Sequence, residues 1–387
     1  MKSLLAFVAE RSGMSTVLAV SNLIHDRVRL IVTLIGVVFA VVLISIQIGL
    51  FLGFARTTSN LIDHAGADLW VMAPGTRDVD QVVAMSERKL YQALTVPGVQ
   101  QAARFDVEFA NFQKPDGGTQ SVLVVGFDPE LGLGAPWNVV AGDVKALRFP
   151  GTIMVDELYR QKLGVTHIGQ TVEIGGHRAQ VVGFTRGIRS FTQSPYVFAS
   201  TRTAVEYSRM RQDQTKYVLV KLAPGANSYA VQSALSHRLP DVQVLTSGEF
   251  SRSTRFYWMF TTGAGLALLV AAGVGLAVGV VVVSQTLYAA TVDHLAEYGT
   301  LRAMGADNRY IHGVIIQQAV ASALVGYVLA LATTLDILSV FGDSGPAIAL
   351  PWWLEVGLLG VTVAMCVAGA VISIKRITRL DPAAVFQ

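Results

Sequence analysis

The stretch QTLYAATVDHLAEYGTLRAMGADNR, residues 285–309, separates two long apolar runs and is too polar to continue either of them. Within this stretch Tyr288, Val292 and Leu295 follow the spacing of one helix face, while Glu297 falls on the opposite side. The pattern predicts a short amphipathic helix that lies on a membrane surface or docks into a partner. An ordinary polar connector between two spans is the alternative.

The overall composition also indicates a membrane protein. Of 387 residues, 52% are hydrophobic and only 15% are charged, and the mean hydropathy is +0.49. The formal net charge of +3, without a dense run of Lys and Arg, argues against a nucleic-acid-binding protein. Cys366 is the single cysteine, so the chain forms no intramolecular disulfide and its compartment has to be argued from topology.

Four apolar runs are long enough to cross a hydrocarbon core of ~30 Å at about 1.5 Å per residue. The predicted transmembrane helices comprise residues 30–54, 256–284, 310–335 and 352–374. Trp352 and Trp353 open the last run, where tryptophan suits the membrane interface. A cleaved signal peptide is the alternative for the first run. That run is too long for a typical signal peptide and lacks a convincing cleavage site.

The distribution of basic residues predicts the orientation. The loop between the third and fourth runs contains no Lys or Arg, whereas Lys375, Arg376 and Arg379 follow the fourth run. Because basic residues favour the cytoplasm, we expect both termini and the quoted stretch to be cytoplasmic. Arg252 and Arg255 count against this orientation, but they end a long domain, where charge has less influence.

Residues 55–255 are then one extracytoplasmic domain, large enough for a core of its own. Alternating apolar residues and Gly-rich turns predict an α+β fold. The predicted elements are hairpins at 105–127 and 172–184, helices at 86–94 and 230–238, and a strand at 217–222.

Candidate catalytic and cargo-binding residues in this domain are few. Asp106 and Glu108 would share one strand face, where solvated charges are more common than a catalytic pair. Four aromatic residues have the chemistry to contact a lipid-like cargo, although a folded core explains them equally well: Phe105, Phe109, Phe112 and Trp137. No P-loop, HExxH or G-x-S-x-G motif occurs, so no enzyme site and no metal site are predicted.

The quoted stretch also carries a family resemblance. Its segment EYGTLRAMGA, residues 297–306, resembles the E-x-G-x-L-R-A-L/M-G-A segment of MacB/FtsX-type (type VII) ABC transporter permeases. In that family the segment follows the second transmembrane helix and forms the coupling helix that sits on the ATPase subunit. The resemblance implies that the ATPase-coupling residues are Glu297, Tyr298, Gly299, Thr300, Leu301, Arg302, Ala303, Met304 and Gly305.

The resemblance extends over nearly the whole chain. VVGFDP at 124–129, the segment 155–172 and LDPAA at 380–384 are similar to other segments typical of the family, and the DevC-like branch is the most similar. This implies a porter-like core domain with an inserted subdomain at about 121–212. The remaining predicted segments are a cytoplasmic or interfacial N-terminal helix (1–29), the coupling loop (285–309), a periplasmic loop (336–351) and a cytoplasmic tail (375–387).

The function implied by this resemblance is that of a non-catalytic permease subunit in the bacterial inner membrane. Two copies would pair with two separate ATPase chains, which hold the ATP and magnesium, and with an adaptor protein and an outer-membrane channel. A lipoprotein-releasing permease and an FtsX-like signalling subunit that activates cell-wall hydrolases are the alternatives. The chain itself would bind no cofactor.

Small and polar residues inside the apolar runs predict helix contacts. Gly275 and Gly279 form a G-x-x-x-G step, which allows close helix packing within the chain or across a homodimer. Gln47 is costly in lipid, so it either lines the dimer interface or makes a single interhelical hydrogen bond.

Overall fold

The computed structural model describes residues 27–80, 82–190, 194–208, 210–293, 308–341 and 347–377. They fall into two compact units. The first comprises most of the four long helices, and the second comprises residues 53–265.

Among the described residues, four helices are long and apolar enough to cross a membrane. They are α1 (Arg27–His64), α7 (Ala264–Asp293), α8 (Asn308–Phe341) and α9 (Trp352–Ile377). The predicted class, four transmembrane helices with an α+β domain between the first and the second, is therefore confirmed. Their shared core consists mainly of small and β-branched residues, among them Val37, Ala40, Ala319 and Ala323. Such side chains let helix backbones approach closely inside a bilayer.

The second unit is built on β-strands. The strands are β1 (Leu69–Met72), β2 (Met85–Ser86), β3 (Val99–Gln113), β4 (Thr119–Phe127), β5 (Val139–Gly142), β6 (Thr152–Asp156), β7 (Thr171–Ile174), β8 (His177–Thr185), β9 (Tyr196–Ser200), β10 (Gln214–Thr215), β11 (Tyr217–Leu222) and β12 (Gln243–Thr246). The helices are α2 (Arg88–Leu94), α3 (Arg160–Leu163), α4 (Thr201–Tyr207), α5 (Ser228–Arg238) and α6 (Ser247–Phe256). Shorter helical turns cover Val144–Arg148, Glu157–Tyr159 and Tyr257–Thr261.

Strand β3 organises the domain because two groups of strands share it. Within the described residues the sheet order is β12-β1-β11-β3-β4-β9-β6-β8-β5, and β7 pairs with β3 and β8. The first half of β3 pairs with β11, with Phe105 opposite Tyr217, and the second half pairs with β4, with Asp106 opposite Gly126. A single 15-residue strand thus joins both halves of the domain.

Both predicted hairpins and the predicted strand at 217–222 are confirmed. In the first hairpin Gly117 has φ of 88°, a left-handed conformation that glycine adopts without a steric penalty. The Asp116 carboxylate accepts a hydrogen bond from the Gly118 amide. This bond lowers the pKa of Asp116 below its ordinary value.

Several helix ends differ from the ends of the predicted spans, and one residue expected on a solvated strand face is buried. Helix α1 ends at His64 instead of residue 54, since its last turns contribute Leu61 and Ile62 to the domain core. The second span does not form one helix from residue 256: a π-helical turn and Gly263, with φ of 78°, precede α7. Asp106 is only 1% exposed instead of solvated.

Of the four candidate cargo-binding aromatics, two belong to the core. Phe105 and Phe112 are fully buried. Phe109 is 44% exposed, and Trp137 is half-buried and stacks on His64 with ring centroids 4.3 Å apart. Core packing therefore explains the first two, and of the four only Phe109 presents a large apolar surface to solvent.

Candidate functional site

The predicted coupling residues, Glu297 to Gly305, lie outside the described residues. What the structure describes are the helices on either side of them. Helix α7 ends at Asp293 and α8 begins at Asn308. The coupling role of this segment stays a prediction.

Gly275 and Gly279 lie where α7 contacts other helices of the same chain. A β-carbon added to Gly279 would lie 2.3 Å from Met365 Sδ and 2.7 Å from Ala40 Cβ. One added to Gly275 would lie 3.0 Å from Leu43 Cδ2. Neighbouring helices of this chain thus occupy the glycine face.

Replacing Gly279 by Val is expected to destabilise the helical unit by roughly 1–3 kcal/mol, because the larger side chain overpacks a closed contact. A matched control lies on the same helix: Gly273 has no atom within 4 Å of an added β-carbon among the described residues, so Gly273→Val should have little effect. The thermal aggregation temperature in detergent measures the difference. Equal aggregation temperatures for the two variants would contradict the close contact at Gly279.

Gln47 is half-buried in α1. Its side-chain oxygen is shielded from solvent and accepts no hydrogen bond from any residue that the structure describes. An unpaired amide oxygen is costly in an apolar environment. Neither predicted role of Gln47, at a dimer interface or in an interhelical bond, is decided by these contacts.

In the α+β domain, Asp106 and Glu108 do not form a catalytic pair, because each engages its own donors. Asp106 accepts hydrogen bonds from Arg104 Nε at 3.0 Å, from Thr215 Oγ1 at 3.1 Å and from the Lys216 amide at 2.8 Å. Burial raises the pKa of Asp106, and the Arg104 charge opposes this shift. Glu108 forms an ion pair with Lys216 Nζ.

A second buried carboxylate, that of Asp80, has fewer hydrogen-bond donors around it than that of Asp106. Both of its oxygens are buried without a hydrogen-bond donor among the described residues. Its own amide donates to Asp78 Oδ1 at 2.9 Å. Burial first, and then the charge of Asp78, raise the pKa of Asp80 to about 7, while the charge of Lys216 opposes the shift. Asp80 therefore changes its ionisation near neutral pH.

The α+β domain also contains a polar cleft of about 550 Å³, lined by Glu157, Leu158, Arg160, Gln161, Thr166 and Arg186 among others. Arg186 Nε donates to Glu157 Oε2 at 2.9 Å. The Arg160 guanidinium lies 4.7 Å from the Phe184 ring centroid and donates to the Thr166 carbonyl oxygen. Both arginines thus have partners within the domain. No group of three metal-ligating side chains suited to a metal ion occurs in the described part of the chain.

Sequence reasoning missed Asp80 and a contact between Arg255 and the end of α1. Both depend on residues far apart in sequence. Lys216, which faces Asp80, follows it by more than a hundred residues, and Arg255 follows Asp63 by 192. Local periodicity carries no signal for such contacts.

Comparison with known proteins gives matches over most of the chain. A family model for the MacB-like periplasmic core domain matches residues 30–238, and one for the FtsX-like permease C-terminal region matches residues 269–382. An uncharacterized ABC transporter permease of Mycobacterium tuberculosis is 23% identical, covering 92% of this chain and 95% of its own length. An uncharacterized ABC transporter permease of Mycobacterium bovis is 22% identical over the same shares.

Among solved structures, the periplasmic region of MacB from Actinobacillus actinomycetemcomitans is similar at 12% identity and a TM-score of 0.39, covering 50% of this chain and 94% of that one. The first family model alone covers more than half of the chain. The second includes residues 297–306, and the resemblance seen there is confirmed at the level of the family. The chain therefore belongs to the MacB/FtsX-type ABC transporter permeases, multi-pass proteins of the inner membrane.

Proposed function

We propose that this chain is the membrane-spanning subunit of an ABC exporter, and that it transmits ATP hydrolysis by a separate ATPase chain to its α+β domain. The observation that carries the proposal is the length of α1. Its 38 residues form one continuous helix of about 57 Å, well beyond the ~30 Å of a hydrocarbon core. Residues 27–52 belong to the helical unit and residues 53–64 to the domain. A helix shared by both units is suited to act as a lever.

The buried polar residues of the helical unit favour a mechanism in which the helices tilt. They argue against one in which cargo passes between the helices. Its buried polar side chains, among the described residues, are all uncharged: Thr33, Ser45, Ser284, Gln318, Ser322, Thr334, Thr362 and Ser373. A hydrophilic pathway across the bilayer usually contains ionisable groups. In the proposed mechanism, closure of the ATPase subunits tilts the helices and the domain moves cargo outward from the periplasm.

The proposed assembly contains two copies of this chain, two ATPase chains holding ATP and magnesium, an adaptor protein and an outer-membrane channel, as in the DevC-like branch. Both termini and residues 285–309 face the cytoplasm. The size of the α+β domain favours export over the FtsX-like signalling role, because signalling members of the family usually carry a smaller domain.

The coupling segment gives the first functional prediction. Replacing Leu301 by Asp should place a charge in the contact with the ATPase. Export should then fall roughly 5-fold or more, because a 5-fold effect corresponds to the lower end of allosteric coupling energies. Membrane insertion and ATP hydrolysis by the partner should persist. Leu301→Met, which keeps an apolar side chain of similar size, is the control. Export that continues unchanged in Leu301→Asp would refute the coupling role.

Purification of the tagged chain in mild detergent, followed by mass spectrometry of the proteins that accompany it, tests the assembly. An ABC ATPase together with an adaptor protein is the expected result. An ATPase together with a cell-wall hydrolase would move the chain to the signalling class. Finding no ATPase, with ATP and crosslinker present, would overturn the proposal.

A further inference from the structure

Arg255 connects the two segments through which the α+β domain continues into the membrane helices. It lies in the last turn of α6, which leads towards α7, and it reaches the last turns of α1. Its Nη2 atom is 2.7 Å from Asp63 Oδ2, and its Nε atom donates to Ser59 Oγ at 2.7 Å. Ser59 Oγ donates to Asp63 Oδ2 at 2.8 Å, which closes a network of three side chains.

A buried hydroxyl distinguishes this network from an ordinary surface ion pair. Ser59 is fully buried, and the charged side chains of Arg255 and Asp63 are 41% and 36% exposed. Leu61 and Ile62, on the same turns of α1, are buried in the domain core. Charge-assisted hydrogen bonds are stronger than neutral ones, whereas an ion pair exposed to solvent contributes little by itself.

The backbone differs between the two connected segments. Helix α1 is continuous from Arg27 to His64, whereas α6 is followed by the π-helical turn Tyr257–Thr261 and by Gly263 in a left-handed conformation before α7 begins. A glycine at a helix interruption permits changes in backbone direction that other residues resist. Arg255 lies on the domain side of this interruption.

We propose that Arg255 is a positioning residue that fixes the end of α1 to the end of α6, so that the two segments enter the domain as one body. The interruption at Gly263 then takes up changes in the direction of α7. The mechanical consequence for export rests on the function proposed above.

The test uses the full chain in detergent, with Cys366→Ser as background and spin labels on cysteines replacing the exposed residues Arg56 and Ser253. Electron paramagnetic resonance measures the distance between the two labels. We expect one narrow distance distribution that broadens in Arg255→Ala. Arg252→Ala is the matched control, because Arg252 is exposed on the same helix three residues away, and it should leave the distribution narrow.

The charge-swapped pair Asp63→Arg with Arg255→Asp should restore the narrow distribution, which a loss of side-chain volume alone would not predict. A narrow distribution in Arg255→Ala, or no recovery in the swapped pair, would overturn the inference. If Arg255→Ala unfolds the domain, as judged by proteolysis, Asp63→Asn replaces it. If both variants unfold, the ion pair is required for folding, and the positioning role is also overturned.

These measurements need neither cargo nor ATPase. A narrow, Arg255-dependent distance in a chain that recruits no ATPase would therefore support the inference while the proposed function fails. The reverse result, recruitment of an ATPase with no dependence on Arg255, would remove the inference and leave the proposed function standing.

Discussion

Replacing Asp80 by Asn is expected to raise the free energy of unfolding of the α+β domain by about 2–4 kcal/mol at pH 8, because a pKa shift of one unit corresponds to about 1.4 kcal/mol. The pKa of Asp80 is about 7 in the folded domain, against an ordinary value of 3.8. Between these values the folded domain holds a proton that the unfolded chain releases. The stabilisation associated with this proton is present at low pH and is lost as the pH rises to about 7. The asparagine side chain does not titrate, so the variant should lack this loss.

The charged groups facing Asp80 are Asp78 from the same loop and Lys216 from the segment between β10 and β11. Tyr196 and Tyr217 also face it, but burial raises their pKa values well above the ordinary value, so both stay neutral. Among these neighbours, repulsion from Asp78 adds to the cost of burying an ionised Asp80, and attraction from Lys216 offsets part of it.

Pulse proteolysis of the full chain in urea, at pH 5, 6, 7 and 8, measures this effect in detergent. Asp116→Asn is the control, because Asp116 is exposed and the Gly118 amide lowers its pKa, so its contribution has the opposite sign and is small. The difference between wild type and Asp80→Asn should grow from pH 5 to pH 7 and then level off. Parallel pH profiles would contradict the assignment.

Replacing Trp70 by Ala is expected to cost about 3–5 kcal/mol of domain stability, the usual range for a fully buried aromatic side chain. Trp70 lies in β1 and is completely buried. Its ring contacts Phe105, Tyr217 and Phe250 at centroid distances of 5.5, 5.3 and 5.3 Å. Its indole N–H donates to Ser247 Oγ at 3.1 Å, so the variant also removes a hydrogen-bond donor.

The urea midpoint of domain cleavage, obtained by the same proteolysis experiment at pH 6, measures this cost. Trp70→Phe should lose less, because a ring remains in the cluster. Tyr91→Ala is the surface control, since Tyr91 is 62% exposed on α2. If Trp70→Ala lowered the midpoint no more than Tyr91→Ala, the aromatic cluster would not be the centre of the domain core.

Features governed by neighbouring residues were predictable from the sequence. Long apolar runs indicated the four membrane helices, and the Gly-rich turns at 115–118 and 175–176 indicated both hairpins. The pairing partners of these hairpins were not predictable. The parallel alignment of β4 with β9 joins strands about 70 residues apart, and loop closure over that distance leaves no local pattern.

The sequence by itself determined the class of the chain, because hydropathy and helical or strand periodicity act over a few residues, and because the segment 297–306 carries the family pattern. Only the tertiary structure decided which charges are buried and which distant residues pair within the domain. Asp80 and Asp106 look like ordinary polar residues in the sequence but are buried in the folded domain, and Arg255 pairs with Asp63 across 192 residues of chain. Burial and ion pairing depend on distant elements, so they appear only when the chain is packed.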